Sequence, residues 1–340
     1  MRKALLAVAL SVVLLGCREE SNVTVLKRLP DAVELTPVCV LEGEEYMYSG
    51  SLAPIAMAGD FIVGDLWRNE CVFLLMDGQC RPLAKLGRIG NGPGEFLGHE
   101  YGGFISQTDD TLSFYALDWE RGTVSRMDVC LHDYGVDVTL LKSFPTMMRA
   151  AYPLGDGRWL CSAFNNRYYF CEDGSDSTVW LQGWDEDLNE AIEGQLMYSP
   201  PVQTGEVFSG DSSKVLIYDL MHPVLWLHDV RDGRLVKKVY VEKKPDQLIY
   251  QANVGDECSF AGAAVAGDRF VLLYWHYDAV RDVYTDSDKL LIFNGRLELE
   301  TVLELQGENK CFLLNPDTKE AVFAGYDYDG FRIYDLSPWI

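Results

Sequence analysis

Six times along this chain a polar turn containing an acidic residue gives way to a short apolar run. Gly59-Asp60 leads into Phe61-Ile62-Val63-Gly64-Asp65, Asp109-Asp110 into Leu112-Ser113-Phe114-Tyr115, and Gly155-Asp156 into Arg158-Trp159-Leu160-Cys161. Gly210-Asp211 leads into Lys214-Val215-Leu216-Ile217-Tyr218, Gly267-Asp268 into Phe270-Val271-Leu272-Leu273-Tyr274, and Pro316-Asp317 into Ala321-Val322-Phe323-Ala324. The second residues of these pairs stand 50, 46, 55, 57 and 49 positions apart. A period of about fifty residues made of short β-rich runs is the signature of a four-stranded propeller blade. Gly, Asp and Asn at the turns tolerate the backbone geometry of tight reversals. Apolar residues dominate the runs, as they do in strands whose sheet is covered on both faces.

Single repeats resolve further. The first reads as strands over 61–66, 71–76 and 81–89, and the fourth as 215–220, 224–230 and 235–241. The fifth reads as 270–275, 289–293 and 297–305, with an insertion over 277–288 between its first two runs. Helix signals are poor; the longest candidate, 185–197, is one acidic stretch that fits a loop or a single short helix. The last repeat is short of strands and ends with 331–334, almost at the C-terminus. A strand near 32–41 can complete its sheet from the other end of the chain, and closing the ring in that way removes open sheet edges. The expected fold is therefore all-β: one six-bladed β-propeller with four-stranded blades, closed by N- and C-terminal strands.

The N-terminus carries a different pattern. Arg2 and Lys3 precede an apolar run from Ala4 to Leu15 broken only by Ser11, and Leu14-Leu15-Gly16-Cys17 ends it. Twelve residues are too few to span a bilayer and fit the hydrophobic region of a signal peptide. The tetrad resembles the bacterial lipobox, which implies removal of residues 1–16 and lipidation of Cys17. The domain plan that follows is a signal peptide at 1–16, a tether at 17–30 and a single propeller over 31–340. Arg18, not Asp, follows the cysteine, which by analogy with enterobacterial sorting argues against retention at the inner membrane. Glu19-Glu20 resembles some surface-export signals of Bacteroidetes. The expected location is the outer membrane, facing either the periplasm or the outside.

Between the first and second repeats stands Leu86-Gly87-Arg88-Ile89-Gly90-Asn91-Gly92-Pro93-Gly94-Glu95-Phe96-Leu97-Gly98. It resembles the Gly-x-Gly-Pro-Gly-Glu-Phe segment of six-bladed β-propeller lipoproteins common in Bacteroidetes, relatives in shape of NHL-repeat and TolB-like propellers. The resemblance implies fold and location far more than activity. The segment lacks the lysine of a phosphate-binding loop and is followed by strand-like sequence, so a tight crossover between blades is the preferred reading.

Charge and cysteine content narrow the partners. The net charge is −23, and −25 once Arg2 and Lys3 leave with the signal. That balance, with no basic block, argues against nucleic-acid binding. Beyond Cys17, the cysteines are Cys39, Cys71, Cys80, Cys130, Cys161, Cys171, Cys258 and Cys311. Their even number permits disulfides in an oxidising compartment, and Cys71 with Cys80 and Cys161 with Cys171 are near enough in sequence to meet across hairpins. None forms a CxxC pair, so no zinc site is signalled. Most of them also fit as small buried hydrophobes.

Loops on one face of a propeller are where recognition is expected. The candidates there are Trp67, Arg68, Trp119, Arg121, Asn165, Arg167, Tyr168, His222, Trp275, His276 and Tyr326. Aromatic faces beside amide and guanidinium donors suit a sugar or a peptide. The bland alternative is that the aromatics pack between blades and the carboxylates cap turns. No Gly-x-Ser-x-Gly elbow or metal-binding histidine spacing is present. Asp185-x-Asp187-x-Asn189 begins like a calcium loop, but Glu190 and Leu196 occupy places where an EF-hand needs Gly and Glu. No cofactor is expected, and calcium has no support. The leading expectation is a non-enzymatic binding or scaffold module, tethered to a membrane through Cys17, for a glycan, peptide or envelope protein. Its rival is a lyase or hydrolase of an extracellular polymer, in which His222 and His276 meet Asp118 or Asp327.

Overall fold

The computed structural model describes residues 22–42, 52–66, 71–145, 147–162, 167–174, 178–183, 204–242, 258–278, 283–284, 288–306, 309–325 and 330–340. Every regular element among them is a strand. Blade 1 holds Leu52–Ala58, Phe61–Leu66, Phe73–Asp77 and Pro82–Leu86; blade 2 holds His99–Gln107, Thr111–Asp118, Thr123–Cys130 and Val136–Ser143. Blade 3 holds Ala150–Gly155, Arg158–Ser162, Tyr168–Glu172 and Thr178–Trp180; blade 4 holds Thr204–Phe208, Lys214–Asp219, Val224–Asp229 and Leu235–Val241. Blade 5 holds Cys258–Ala266, Arg269–Asp278, Lys289–Phe293 and Leu299–Glu304. Blade 6 takes Asn309–Leu314, Glu320–Gly325 and Gly330–Asp335 from the C-terminus and Cys39–Glu42 from the N-terminus. The molecule is a six-bladed β-propeller whose first strands lie innermost, against one another.

The six acidic turns of the sequence are the six reversals between first and second strands. Their geometry explains their composition. Gly59 and Gly267 sit at φ 52° and 62°, and Asp156, Ser212 and Lys319 also take left-handed backbone. Glycine does so without steric cost, and Asp does so more readily than most residues.

Six apolar clusters hold the ring, one at each junction between blades among the described residues. The period of two within a strand serves two junctions at once. Val215 and Ile217 pack toward blade 3, while Leu216 and Tyr218 pack toward blade 5. Both sets are buried, so the strand reads as a continuous apolar run. The Gly87–Gly98 segment is the crossover from blade 1 to blade 2. Arg88–Ile89 pairs in parallel with Glu95–Phe96, and the Glu95 carboxylate accepts the Gly92 N–H at 2.7 Å. A Cβ on Gly90 would stand 2.3 Å from that carboxylate, so a larger residue there would push the Glu95 side chain off its contact.

The N-terminal residues correct the domain plan. The expected tether over 17–30 is part of the fold from Val23 onward: Val23–Leu26 pairs in parallel with Leu235–Val241 on the rim of blade 4. The single strand expected near 32–41 is divided. Val33–Glu34 adds in parallel to blade 5, and Cys39–Glu42 pairs antiparallel in blade 6. Residues 22–42 thus form a belt along three consecutive blades. The sequence at 1–21 and the acidic stretch at 185–197 lie outside the described residues.

Blade 4 contains a buried histidine that reports on folding. His228 is fully buried; its Nδ1 lies 3.3 Å from the Gly233 carbonyl oxygen, while Nε2 has no partner among the described residues. Burial pushes its pKa down from 6.5 to about 4. Between those values the unfolded chain binds more protons than the folded one, so stability falls as pH drops through that window. The loss amounts to about 3 kcal/mol. Urea titrations at pH 7 and pH 4.5 should show this slope, and His228→Leu should flatten it.

Candidate functional site

The inner strands of all six blades enclose a cavity of about 620 Å³. Most of its wall is small or apolar, including Ile55, Ala261, Ala263, Phe208, Phe312 and Leu313. One carboxylate, Glu206, stands in it. Glu206 lies in the middle of Thr204–Phe208, and its two oxygens accept the hydroxyls of Tyr152 and Tyr168. Both tyrosines belong to blade 3, so the carboxylate bridges the junction of blades 3 and 4. The Thr204 hydroxyl lies 3.2 Å from the Tyr168 oxygen. Since the single phenolic proton goes to Glu206, Thr204 is the donor in that contact.

One glycine makes room for this arrangement and a second for the cavity wall beside it. A Cβ on Gly103 would stand 2.5 Å from the Tyr152 ring, and one on Gly205 would stand 2.3 Å from Tyr218. Tyr152 also meets Phe208 edge to face at 5.6 Å. Burial raises the pKa of Glu206, opposed by the two phenol hydrogen bonds and by the charge of Arg149. Burial and the nearby carboxylate raise Tyr168, so its proton stays on the phenol. Tyr218 is raised for the same two reasons. The result is a hydrogen-bond acceptor fixed in orientation inside a narrow, largely apolar space.

The residues chosen from sequence behave differently. Trp119, Arg121, Arg167, Tyr168 and His222 follow the second strands of blades 2, 3 and 4, and Trp275 lies in the last part of the second strand of blade 5, so they share one face. Most of their contacts are with the protein itself. Arg121 donates to the Gly90 carbonyl at 2.9 Å and to the Glu95 carbonyl, pinning the glycine-rich crossover. Trp119 covers Gly98, and Trp275 donates from its indole to the Asn309 carbonyl at 2.7 Å, joining blades 5 and 6. Arg167 lies 5.2 Å over the Trp180 ring. Of this set only Tyr168 joins the channel cluster.

Among the described residues, Asp118 and His222 of the rival acid–base reading are not brought together. Asp118 is buried and accepts the N–H groups of Leu97 at 2.9 Å and Gly98 at 3.2 Å. His222 is fully buried and turns Nδ1 to Asp219 at 2.9 Å. Asp118 holds the blade 1–2 crossover and its own turn at Arg121, while Asp219 caps the turn that carries His222 in blade 4, so in the rival reading His222 does not meet Asp118. Asp65 with His99 at 2.9 Å joins blades 1 and 2, and Asp288 with Asn309 at 2.9 Å joins blades 5 and 6. Trp67, Arg68, Asn165, Tyr326, Asp327 and Cys17 lie outside the described residues, as does the His276 side chain.

Glu206, Tyr152 and Tyr218 were missed in the sequence. One signal was available: a Gly-Glu pair inside a short run that leads to one of the six acidic turns.

No protein-family model matches the chain, and no curated protein matches it. Among solved structures, a Bacteroides fragilis protein described as a "Putative exported protein" aligns over 92% of this chain and 98% of its own, at 12% identity and a TM-score of 0.52. That likeness is one of fold. The β-propeller domain of Myceliophteria thermophila Cps50 (Swd1) aligns over 89% of this chain and 99% of its own, at 11% identity and a TM-score of 0.42. U3-55K aligns over 82% and 78%, at 10% identity and 0.44.

The glycine requirement is directly testable. Gly205→Ala should displace Tyr218 and destabilise the fold by about 1–3 kcal/mol through overpacking. Denaturant unfolding with tyrosine and tryptophan fluorescence measures this; an unchanged midpoint would show that the ring is not held where described.

Proposed function

We propose that this chain is a lipid-anchored propeller of the bacterial outer membrane, of the NHL- and TolB-like lipoprotein kind that its Gly-Pro-Gly-Glu-Phe segment resembles. It acts as a non-enzymatic binding module for a glycan, a peptide or an envelope protein. The observation that carries this reading is Glu206, an acceptor held by two phenols within a cavity of about 620 Å³. Cavities of about 300–1,000 Å³ suit small ligands or a single projecting group. A sugar ring or a peptide side chain has the right size, with hydroxyl or N–H donors for Glu206 and an apolar face for Phe208 and Phe312. A folded partner would enter with one such group and rest on the surrounding loops.

The belt supports an orientation for this module. Val23–Leu26 runs in the same direction as Leu235–Val241, so its start lies toward the end of blade 4 that carries the turn at Asp232-Gly233. Five residues separate Cys17 from Val23, a reach of about 21 Å at full extension. A lipid on Cys17 draws that end toward the bilayer and leaves the opposite face, with Trp119, Arg167 and Trp275, directed away. The description of the Bacteroides fragilis neighbour is in keeping with an exported protein.

Two measurements test the reading. Screening the chain against glycan and peptide arrays should yield a ligand whose affinity falls at least tenfold in Glu206→Gln while the circular dichroism is unchanged. Equal affinity in the variant would move the site out of the channel. Separately, Cys17→Ala expressed in a Bacteroidetes host should leave the membrane fraction; retention there would remove the lipid anchor from the proposal.

A further inference from the structure

Blade 3 carries a pair of thiols in the apolar junction with blade 2 that the channel site does not use. Cys161 lies on Arg158–Ser162 and Cys171 on Tyr168–Glu172, adjacent antiparallel strands. Cys161 is opposite Tyr169, and Cys171 is opposite Trp159, so the cysteines are diagonal neighbours on the same face of the sheet. Their sulfurs are 3.6 Å apart. Cys161 is fully buried, and Cys171 is partly exposed.

We propose that Cys161 and Cys171 form an intramolecular disulfide by exchange with a small-molecule or protein disulfide, Cys171 being the attacking thiol. The surroundings favour that order. Lys142, from the outer strand of blade 2, pairs with Asp173 and sits 5.8 Å from the Trp159 ring, directly opposite Cys171. The hydrogen bond from Cys161 and the Lys142 charge lower the Cys171 pKa to about 7, whereas Cys161 is raised. The thiolate is the nucleophile in exchange, so the more accessible cysteine is also the more reactive.

The steps balance. The Cys171 thiolate attacks one sulfur of the external disulfide, forms a mixed disulfide and expels one thiolate. That thiolate or solvent takes the proton of Cys161. The Cys161 sulfur then attacks Cys171 Sγ and expels the second thiol. Two protein thiols are oxidised to one disulfide, and the external disulfide is reduced to two thiols.

The bridge has a use in this blade. Its fourth strand, Thr178–Trp180, has three residues, fewer than the fourth strand of any other blade. The strand carrying Cys171 also carries Tyr168 on its other face, toward Glu206. A covalent link between the second and third strands fixes that tyrosine's strand where hydrogen bonding to an outer neighbour is briefest. This inference does not depend on the lipid anchor or on the ligand.

The test uses the full chain, purified reduced, exposed to oxidised glutathione and then alkylated with N-ethylmaleimide. Peptide mass mapping should find the Cys161 and Cys171 peptides linked, two hydrogen masses lighter than the reduced pair, with loss of two alkylatable thiols. Cys161→Ser should trap glutathione on Cys171, and Cys171→Ser should leave Cys161 unmodified. Glutathione retained on Cys171 in the unsubstituted chain, or a bridge between Cys71 and Cys80 with this pair still alkylatable, would overturn the proposal. The mapping of the unsubstituted chain decides the matter even where a variant fails to fold.

Discussion

Burial on both faces is the constraint on which the rest of this molecule depends. A blade has no solvent-facing side along most of its length, so odd and even positions of a strand belong to different junctions. Changing one inward residue therefore disturbs one seam and spares the other, as Ile217 and Tyr218 illustrate from adjacent positions. The arrangement leaves few places for polar side chains. They collect at strand ends, where Asp65, Asp118, Asp219 and Asp288 satisfy backbone or neighbouring groups while buried. Buried carboxylates without partners would be costly, and these have them.

That economy explains why the most conspicuous polar residues are poor guides to a binding site. Arg121 and Trp275 have the composition of a recognition surface, yet each fastens one blade to the next. Glu206 stands apart because its partners come from side chains and its environment is a cavity. Holding it with two phenols requires a glycine, Gly103, beside the Tyr152 ring.

Much of the architecture was legible because turn chemistry repeats. The six acidic reversals mark the inner hairpins, and the second strands after them are long apolar runs. The inner strands were harder to see. Leu52–Ala58 and Cys258–Ala266 are rich in alanine and glycine, because space near the axis is narrow, and small residues carry little strand signal. The belt escaped for another reason: Val23–Leu26 and Val33–Glu34 are too short to show a period, and only the distant strands they join make them strands. Glu206 was hidden likewise, as its meaning comes from tyrosines 38 and 54 residues away in sequence.

The belt also bears on when this chain can fold. Val23 pairs with Lys238, Val33 with Leu303, and Val40 with Arg332. None of these contacts exists until most or all of the polypeptide has been made, and such distant pairings close slowly. The first strands to emerge from the ribosome therefore wait longest for their partners. A ring of this kind stays open through synthesis, and the last seam to shut is the one that joins the two ends of the chain.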